Sequence, residues 1–124
     1  AHDPAECCLI FLIEDEAGKT LLYGNDTAYF PEETWEYLRG RQLDLVSLDC
    51  TMGILGDGAT HMGWAGDVRT KERLEAMGCV HDSTVFILNH FSHNCGHGLS
   101  HEEMERLAAP EGFLTAYDGF TAEV

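Results

Sequence analysis

Three short apolar runs, at residues 7–13, 43–48 and 84–88, constrain the fold of this chain more than any other feature. Runs of this length, rich in Leu, Ile, Val and Phe, are typical of β-strands that are covered on both faces. Proline, glycine and capping residues lie between them and predict intervening helices. Strands that alternate with helices predict an α/β fold built on one layered sheet.

The predicted order of elements is ββαβαβαββ. Residues 7–14 and 20–23 predict a β-hairpin, because a glycine-bearing turn separates them. Both strands are expected to be largely buried. Helices are predicted at 31–38, at 61–77 with Thr60 as N-cap, and after the capping box formed by Ser100 and Glu103. The remaining strands are predicted at 43–48, 84–88 and 113–117, followed by a short closing strand after Asp118 and Gly119.

Length and charge limit the classes of function. A chain of 124 residues corresponds to one domain, 1–124, and it shows no repeat or linker. With 7 basic and 22 acidic residues the net charge is −15, which repels phosphate backbones and anionic lipid surfaces, so nucleic acid is an unlikely partner. No apolar run reaches the ~18 residues of a membrane span, so no membrane association is expected.

The cysteines and the N-terminus bear on the compartment. Five cysteines form no CxxC pair, and two of them are adjacent, which does not suit a disulfide framework and favours a reducing cytoplasm. The first residues, Ala1-His2-Asp3-Pro4, have no basic segment and no cleavage pattern, so no targeting signal is expected. The absence of an initial Met suggests a processed, truncated or excised product.

Polar residues that can bind metal follow three of the predicted strands. Asp26, Asp49 and His90 each come directly after an apolar run, and His93 lies in the same loop as His90. The carboxyl ends of neighbouring strands in a layered α/β fold meet at one edge, so these side chains predict a single site. Histidine and carboxylate together suit zinc, manganese or iron, and the absence of paired thiolates argues against a structural zinc site.

Six short motifs in this order carry a resemblance to a known superfamily. The chain resembles the metallo-β-lactamase superfamily, in particular its phosphodiesterase branch of PhnP-type cyclic-phosphate phosphodiesterases and transfer-RNA 3′-processing endonucleases. The motifs are His2-Asp3-Pro4, Tyr23-Gly24-Asn25-Asp26-Thr27, Leu48-Asp49-Cys50-Thr51, His61-Met62-Gly63, Asn89-His90-Phe91-Ser92-His93-Asn94 and Tyr117-Asp118-Gly119.

The resemblance implies a dinuclear metal-dependent hydrolase of a small phosphodiester or cyclic phosphate. It implies two divalent metal ions, with zinc as the first expectation and manganese or iron as alternatives. The implied metal ligands are His2, Asp26, which bridges both ions, and His90. The implied catalytic pair is His61, which gives a proton to the leaving oxygen, and Asp49, which holds its ring, while His93 lies on the substrate side.

The chain departs from this superfamily in one large respect. The signature cluster H-x-H-x-D-H, which supplies most ligands to both metals, is absent from the sequence. The resemblance therefore implies the C-terminal half of an αββα sandwich, with one mixed sheet and helices mainly on one face. We expect this chain alone to be inactive and to bind metal weakly, and its partner to be the missing N-terminal half or a second copy.

Simpler interpretations stay open for each of these residues. His2 near a terminus can be merely solvated, Asp26 can be a turn or N-cap residue, and His90 and His93 can bond backbone carbonyls. Asp118 is more typical of a turn, and His81, His97 and His101 of a surface. The alternative function is a non-catalytic interaction module that keeps the fold without turnover. An upstream reading frame that contains H-x-H-x-D-H would separate the two functions.

Overall fold

The computed structural model describes residues 8–93 and 99–124 as one five-stranded sheet with three α-helices. Strand order is β1 to β5 in sequence; β1 is antiparallel to β2, and all other neighbours are parallel. This confirms the predicted α/β class with one mixed sheet. The elements are β1 (Phe11–Glu14), β2 (Thr20–Gly24), α1 (Glu32–Leu38), β3 (Leu43–Asp49), α2 (Trp64–Ala76), β4 (Val80–Asn89), α3 (His101–Ala108) and β5 (Phe113–Thr115).

Local signals place two of the helices as predicted. Helix α1 begins directly after Pro31, with two glutamates in its first turn, where the positive end of the helix dipole favours them. Helix α3 begins with the predicted capping box: the Glu103 amide donates to the Ser100 hydroxyl, and the Ser100 amide donates to the Glu103 carboxylate.

Helix α2 corrects the sequence prediction, because it begins at Trp64 with Gly63 as N-cap and not after Thr60. The residues before it use their peptide groups in loop contacts instead. The Met62 amide donates to the Thr27 carbonyl at 3.1 Å, and the His61 carbonyl accepts from the Gly58 amide at 2.9 Å. His61 therefore lies in the loop that precedes α2.

Two strand predictions also need correction. Strand β1 was expected to be largely buried, but Phe11 and Ile13 are about half exposed, at 52% and 51%, because β1 is the edge of the sheet. Strand β5 ends at Thr115, and among residues 116–124 the structure has no closing strand. The Phe120 amide donates to the Tyr117 carbonyl in a turn.

The sequential order of the parallel strands places all three helices on one face. Connections between parallel strands are right-handed as a rule, and because β2 to β5 follow one another in a single direction, this rule puts every connecting helix on the same side. The side chains on that face form the core together with Trp35, Leu74 and Met104. These strand residues are Leu22, Val46, Leu48, Phe86, Leu88 and Phe113, all 4% exposed or less.

The opposite face of the sheet has no helix among the described residues and is apolar except for Ser47, which with Ile87 is only 6% exposed at its centre. We call it the open sheet face and define it by two rows of paired residues. The rows are Phe11, Tyr23, Ser47, Ile87 and Leu114, and Ile13, Leu21, Leu45 and Val85. At the rim of this face Tyr23 is 41% exposed and Leu114 46% exposed. A contiguous apolar surface of this kind is typical of an interaction site.

We expect the isolated chain to self-associate through the open sheet face, because burial of its apolar side chains is favourable. Leu114→Lys places a charge on this face and should weaken association at least about tenfold, the effect of ~1.4 kcal/mol. Sedimentation velocity over a concentration series measures this. Leu107→Lys, on the exposed side of α3, is the matched control. A wild-type chain that stays monomeric at every concentration would contradict the expectation.

Candidate metal centre

Four side chains that can bind metal converge at the carboxyl edge of the sheet. One ligand atom from each of Asp26, Asp49, His61 and His90 lies within 4.8 Å of the others. Asp26 follows β2, Asp49 ends β3 and His90 follows β4, so three neighbouring parallel strands supply three of the four. His61 arrives from the loop before α2. The structure therefore brings together four of the residues singled out in the sequence.

Two of the four residues have an unusual backbone conformation. Asp26 has φ = 55° and His90 has φ = 59°, and they are the only non-glycine residues with positive φ in the described part of the chain. This left-handed region costs free energy for a residue with a Cβ atom. Such residues persist only where their surroundings hold them, and they cluster at functional sites.

Asp49 is the shared anchor of the group. Its side chain is fully buried, and both carboxylate oxygens accept backbone hydrogen bonds, from the Thr51 amide at 2.9 Å and from the Thr27 amide at 3.1 Å. The oxygen Oδ2 also lies 3.0 Å from His61 Nδ1 and 3.3 Å from His90 Nδ1. One buried carboxylate thus orients both imidazoles.

These contacts define the tautomers of the two rings. The Thr51 hydroxyl donates its proton to the His90 carbonyl at 2.7 Å, so its oxygen, 2.8 Å from His90 Nδ1, is left to accept from that nitrogen. His61 Nδ1 likewise donates to the Asp49 carboxylate. A neutral imidazole with its proton on Nδ1 has its lone pair on Nε2. A carboxylate that holds Nδ1–H in this way is the usual support of a metal-binding histidine.

The loop that carries His61 is attached to the loop after β2. Besides the contact with Thr27, the fully buried Met62 accepts at its carbonyl from the Met52 amide at 3.0 Å. Gly63 follows in a tight approach, since an added Cβ atom would lie 2.7 Å from the Gly53 carbonyl oxygen. Only glycine fits there, and the close approach keeps His61 next to Asp26, with Nδ1 and Oδ1 3.7 Å apart.

The four side chains form a group that could hold a metal ion. Asp26 offers a carboxylate that is about half exposed, and the Nδ1 atoms of His61 and His90 lie 3.0 and 3.3 Å from the buried Asp49 carboxylate. Neutral imidazole and carboxylate are the ligands that zinc, manganese and iron ions prefer, and supporting hydrogen bonds to Nδ1 are already in place. Asp49 makes its contacts through both oxygens, so we treat it as a residue that positions the ligands.

The other predicted site residues have different outcomes. His2 lies outside the described residues, so its ligand role stays a prediction. His93 is exposed and lines a cavity next to His90, and the structure shows no metal-binding group that includes it among the described residues. Thr51 and Thr27 were missed as supporting residues. The signal for Thr51 was its position two residues after a strand-end aspartate, but its hydroxyl contact with His90 depends on the fold.

Asp67, in the first turn of α2, is a fully buried carboxyl group beneath the site. Burial raises its pKa well above the usual range, and the carboxylates of Asp49 and Asp57 add to the shift. The Cys50 thiol lies beside it and favours the charged form, but neither oxygen of Asp67 has a well-formed hydrogen bond with the described residues. Burial likewise raises the pKa of the Cys50 thiol, so this cysteine is unreactive.

The raised pKa of Asp67 makes stability depend on pH. Unfolding returns this carboxyl to a pKa of ~3.9, so the folded state holds a proton that the unfolded state releases. Stability therefore falls as pH rises from about 4 towards the raised pKa. Asp67→Asn removes this linkage, so its stability should fall less than that of the wild type between pH 4 and pH 7. Urea unfolding in the presence of a chelator measures the free energy of unfolding at each pH. The same pH dependence in the wild type and in Asp67→Asn would contradict the prediction. Asp82→Asn, at an exposed position, is the control.

No known protein family matches this chain, and no curated protein is similar enough to count as a relative. The resemblance to the metallo-β-lactamase superfamily therefore stays a prediction from the quoted motifs.

Proposed function

We propose that the protein is a metal-dependent hydrolase of a small phosphodiester or cyclic phosphate. In this proposal Asp26 and His90 are metal ligands in this chain, together with His2 as the motif resemblance implies. His61, oriented by Asp49, is the proton donor. The observation that carries the proposal is the buried Asp49 carboxylate, which contacts the Nδ1 atoms of both histidines beside an exposed Asp26.

Each residue has a separate task in the reaction. Divalent ions at such a centre polarise the phosphoryl oxygens and make bound water more acidic. A water molecule would form the new bond to phosphorus and release one proton to solvent. His61 in its protonated form would donate from Nε2 to the leaving oxygen as the bond from that oxygen to phosphorus breaks, so that the ring becomes neutral. Asp49 stabilises the protonated ring through Nδ1, 3.0 Å away, and maintains its orientation. Thr51 and Asp49 together hold His90 in the tautomer that ligation requires.

Charge supports a small substrate. The net charge of −15 repels a long phosphate chain, whereas a single phosphodiester carries one negative charge that a metal centre neutralises. We therefore propose a small molecule as substrate and no nucleic acid partner for this chain.

For the compartment we propose a reducing cytoplasm. Of the described cysteines, the buried Cys50 and Cys79 are free thiols. Within the described residues there is no helix with both the length and the apolar character to cross a membrane.

The open sheet face favours a second candidate, a non-catalytic interaction module that binds another protein through this surface. A missing N-terminal half and a second copy of the chain are the two partners that we propose for it. The face is compatible with either function, because a hydrolase completed by another polypeptide also needs a contact surface.

Zinc binding and phosphodiester hydrolysis test the proposal together. Calorimetric titration of the metal-free chain with zinc should show uptake, and hydrolysis of bis(4-nitrophenyl) phosphate should require zinc. The assay is made on the chain alone and on the chain with an added segment that carries H-x-H-x-D-H. We expect hydrolysis in the second form. Zinc uptake without hydrolysis in either form would favour the interaction module, and no zinc uptake in either form would overturn the metal centre.

A further inference from the structure

The cavity that His93 lines, of about 670 Å³, lies against the metal centre. It is bounded by the segments that follow β3, β4 and β5 and by the start of α3, and it shares Thr51 and His90 with the centre. This volume is within the ~300–1,000 Å³ that small-molecule sites typically have. A ligand held at the metal centre through an oxyanion would therefore extend into it past His90.

Two exposed aromatic side chains, Phe91 and Tyr117, line this cavity. Phe91 is 40% exposed and Tyr117 is 61% exposed, although both side chains are large and apolar. Tyr117 has edge contacts with His101 and with Phe120, at centroid distances of 5.5 and 5.6 Å. His101 Nε2 lies 3.2 Å from the Thr115 carbonyl oxygen, and this contact holds the His101 ring against Tyr117. The tyrosine ring therefore has two aromatic neighbours while 61% of its surface stays exposed.

The lining holds few formally charged side chains. Among the described residues around this cavity there is no Lys or Arg, His93 and His101 line it beside His90, and Asp118 is the acidic residue apart from the shared metal centre. Leu99 and the buried Met104 add apolar surface. Exposed aromatic rings without cations suit an uncharged flat ring, which gains from stacking and from burial of apolar area.

We infer that this cavity binds an aromatic ring carried by the substrate, stacked on Tyr117, while the phosphate lies at the metal centre. The substrate class is then a phosphodiester with an aryl or nucleobase group close to the reacting phosphorus. This inference rests on the proposed function, because the position of the phosphate comes from the metal centre. Phe91 lines the same cavity and completes its aromatic surface.

A comparison of the affinities of two small phosphates tests the inference. With zinc at saturating concentration, phenyl phosphate and methyl phosphate are titrated into the chain, and their affinities are compared. We expect phenyl phosphate to bind about tenfold more tightly, the effect of a single stacked ring. Tyr117→Ala should reduce the ratio to about one and leave the methyl phosphate affinity and the zinc content unchanged.

Tyr37→Ala is the matched control, because Tyr37 on α1 is also 61% exposed and lies outside this cavity. Equal affinities in the wild type, a preference that survives Tyr117→Ala, or a loss caused by Tyr37→Ala would each overturn the inference and leave the metal centre standing. Zinc-dependent binding of neither phosphate would count against the proposed function and against the inference. Circular dichroism confirms that each variant is folded.

Discussion

Replacing His61 by Ala is expected to lower kcat for phosphodiester hydrolysis by about 100-fold or more, the usual effect of a lost general acid. The variant removes the proton donor but leaves Asp26 and His90 in place, so zinc content should change far less than kcat. Because His61 Nδ1 contacts Asp49, loss of the ring also frees one acceptor position on that carboxylate. The kinetic effect should therefore exceed any effect on metal binding.

The measurement uses whichever form turns over substrate, the chain alone or the chain with the H-x-H-x-D-H segment. His81→Ala is the matched control, since His81 also contacts an aspartate, Asp44, but lies on β4 outside the metal-binding group. Added imidazole should restore part of the activity of His61→Ala and none of the activity of other variants. A kcat equal to that of the wild type would remove His61 from the mechanism.

Asp49→Asn is expected to lower zinc affinity by about 10- to 100-fold, the range for groups that support metal ligands. The substitution keeps the shape of the side chain but turns one acceptor into an NH₂ donor. Both oxygens of Asp49 accept N–H groups, from the Thr51 amide on one side and from the Thr27 amide and His61 Nδ1 on the other, where His90 Nδ1 also lies 3.3 Å away. In either orientation of the substituted side chain its NH₂ group therefore faces an N–H donor, and both imidazoles lose the carboxylate that orients them.

Asp44→Asn provides the control on the same strand. Asp44 accepts from the Lys19 ammonium and the Thr20 amide, so its variant changes stability without touching the metal centre. Zinc titration of both variants, with urea unfolding of the metal-free chains, separates metal affinity from folding. If Asp49→Asn is folded and binds zinc as tightly as the wild type, Asp49 has no role in holding the ligands.

The part of the fold that the sequence could predict is the part that depends on local chemistry. Short apolar runs separated by capping residues identified the α/β class, and the Ser100–Glu103 capping box is present as predicted. The positions of Asp26, Asp49 and His90 after apolar runs indicated one site, because parallel strands end at one edge. Each of these signals is contained in a few consecutive residues, so recognising it does not require knowledge of distant contacts.

Other features depend on contacts between residues far apart in the chain, and only the tertiary structure decided them. Helix α2 begins at Trp64 because the Met62 amide is already bonded to Thr27, on another loop. Strand β1 is exposed because it is the sheet edge, which no apolar run can reveal.

The contacts within the site were decided in the same way. The role of Asp49 as anchor for both histidines requires three segments to meet around one buried carboxylate. The sequence by itself determined which residues could bind metal and which runs form strands. The tertiary structure decided which of those residues share a carboxylate and which sheet face stays open, because hydrogen-bond partners and burial are set by packing between distant segments.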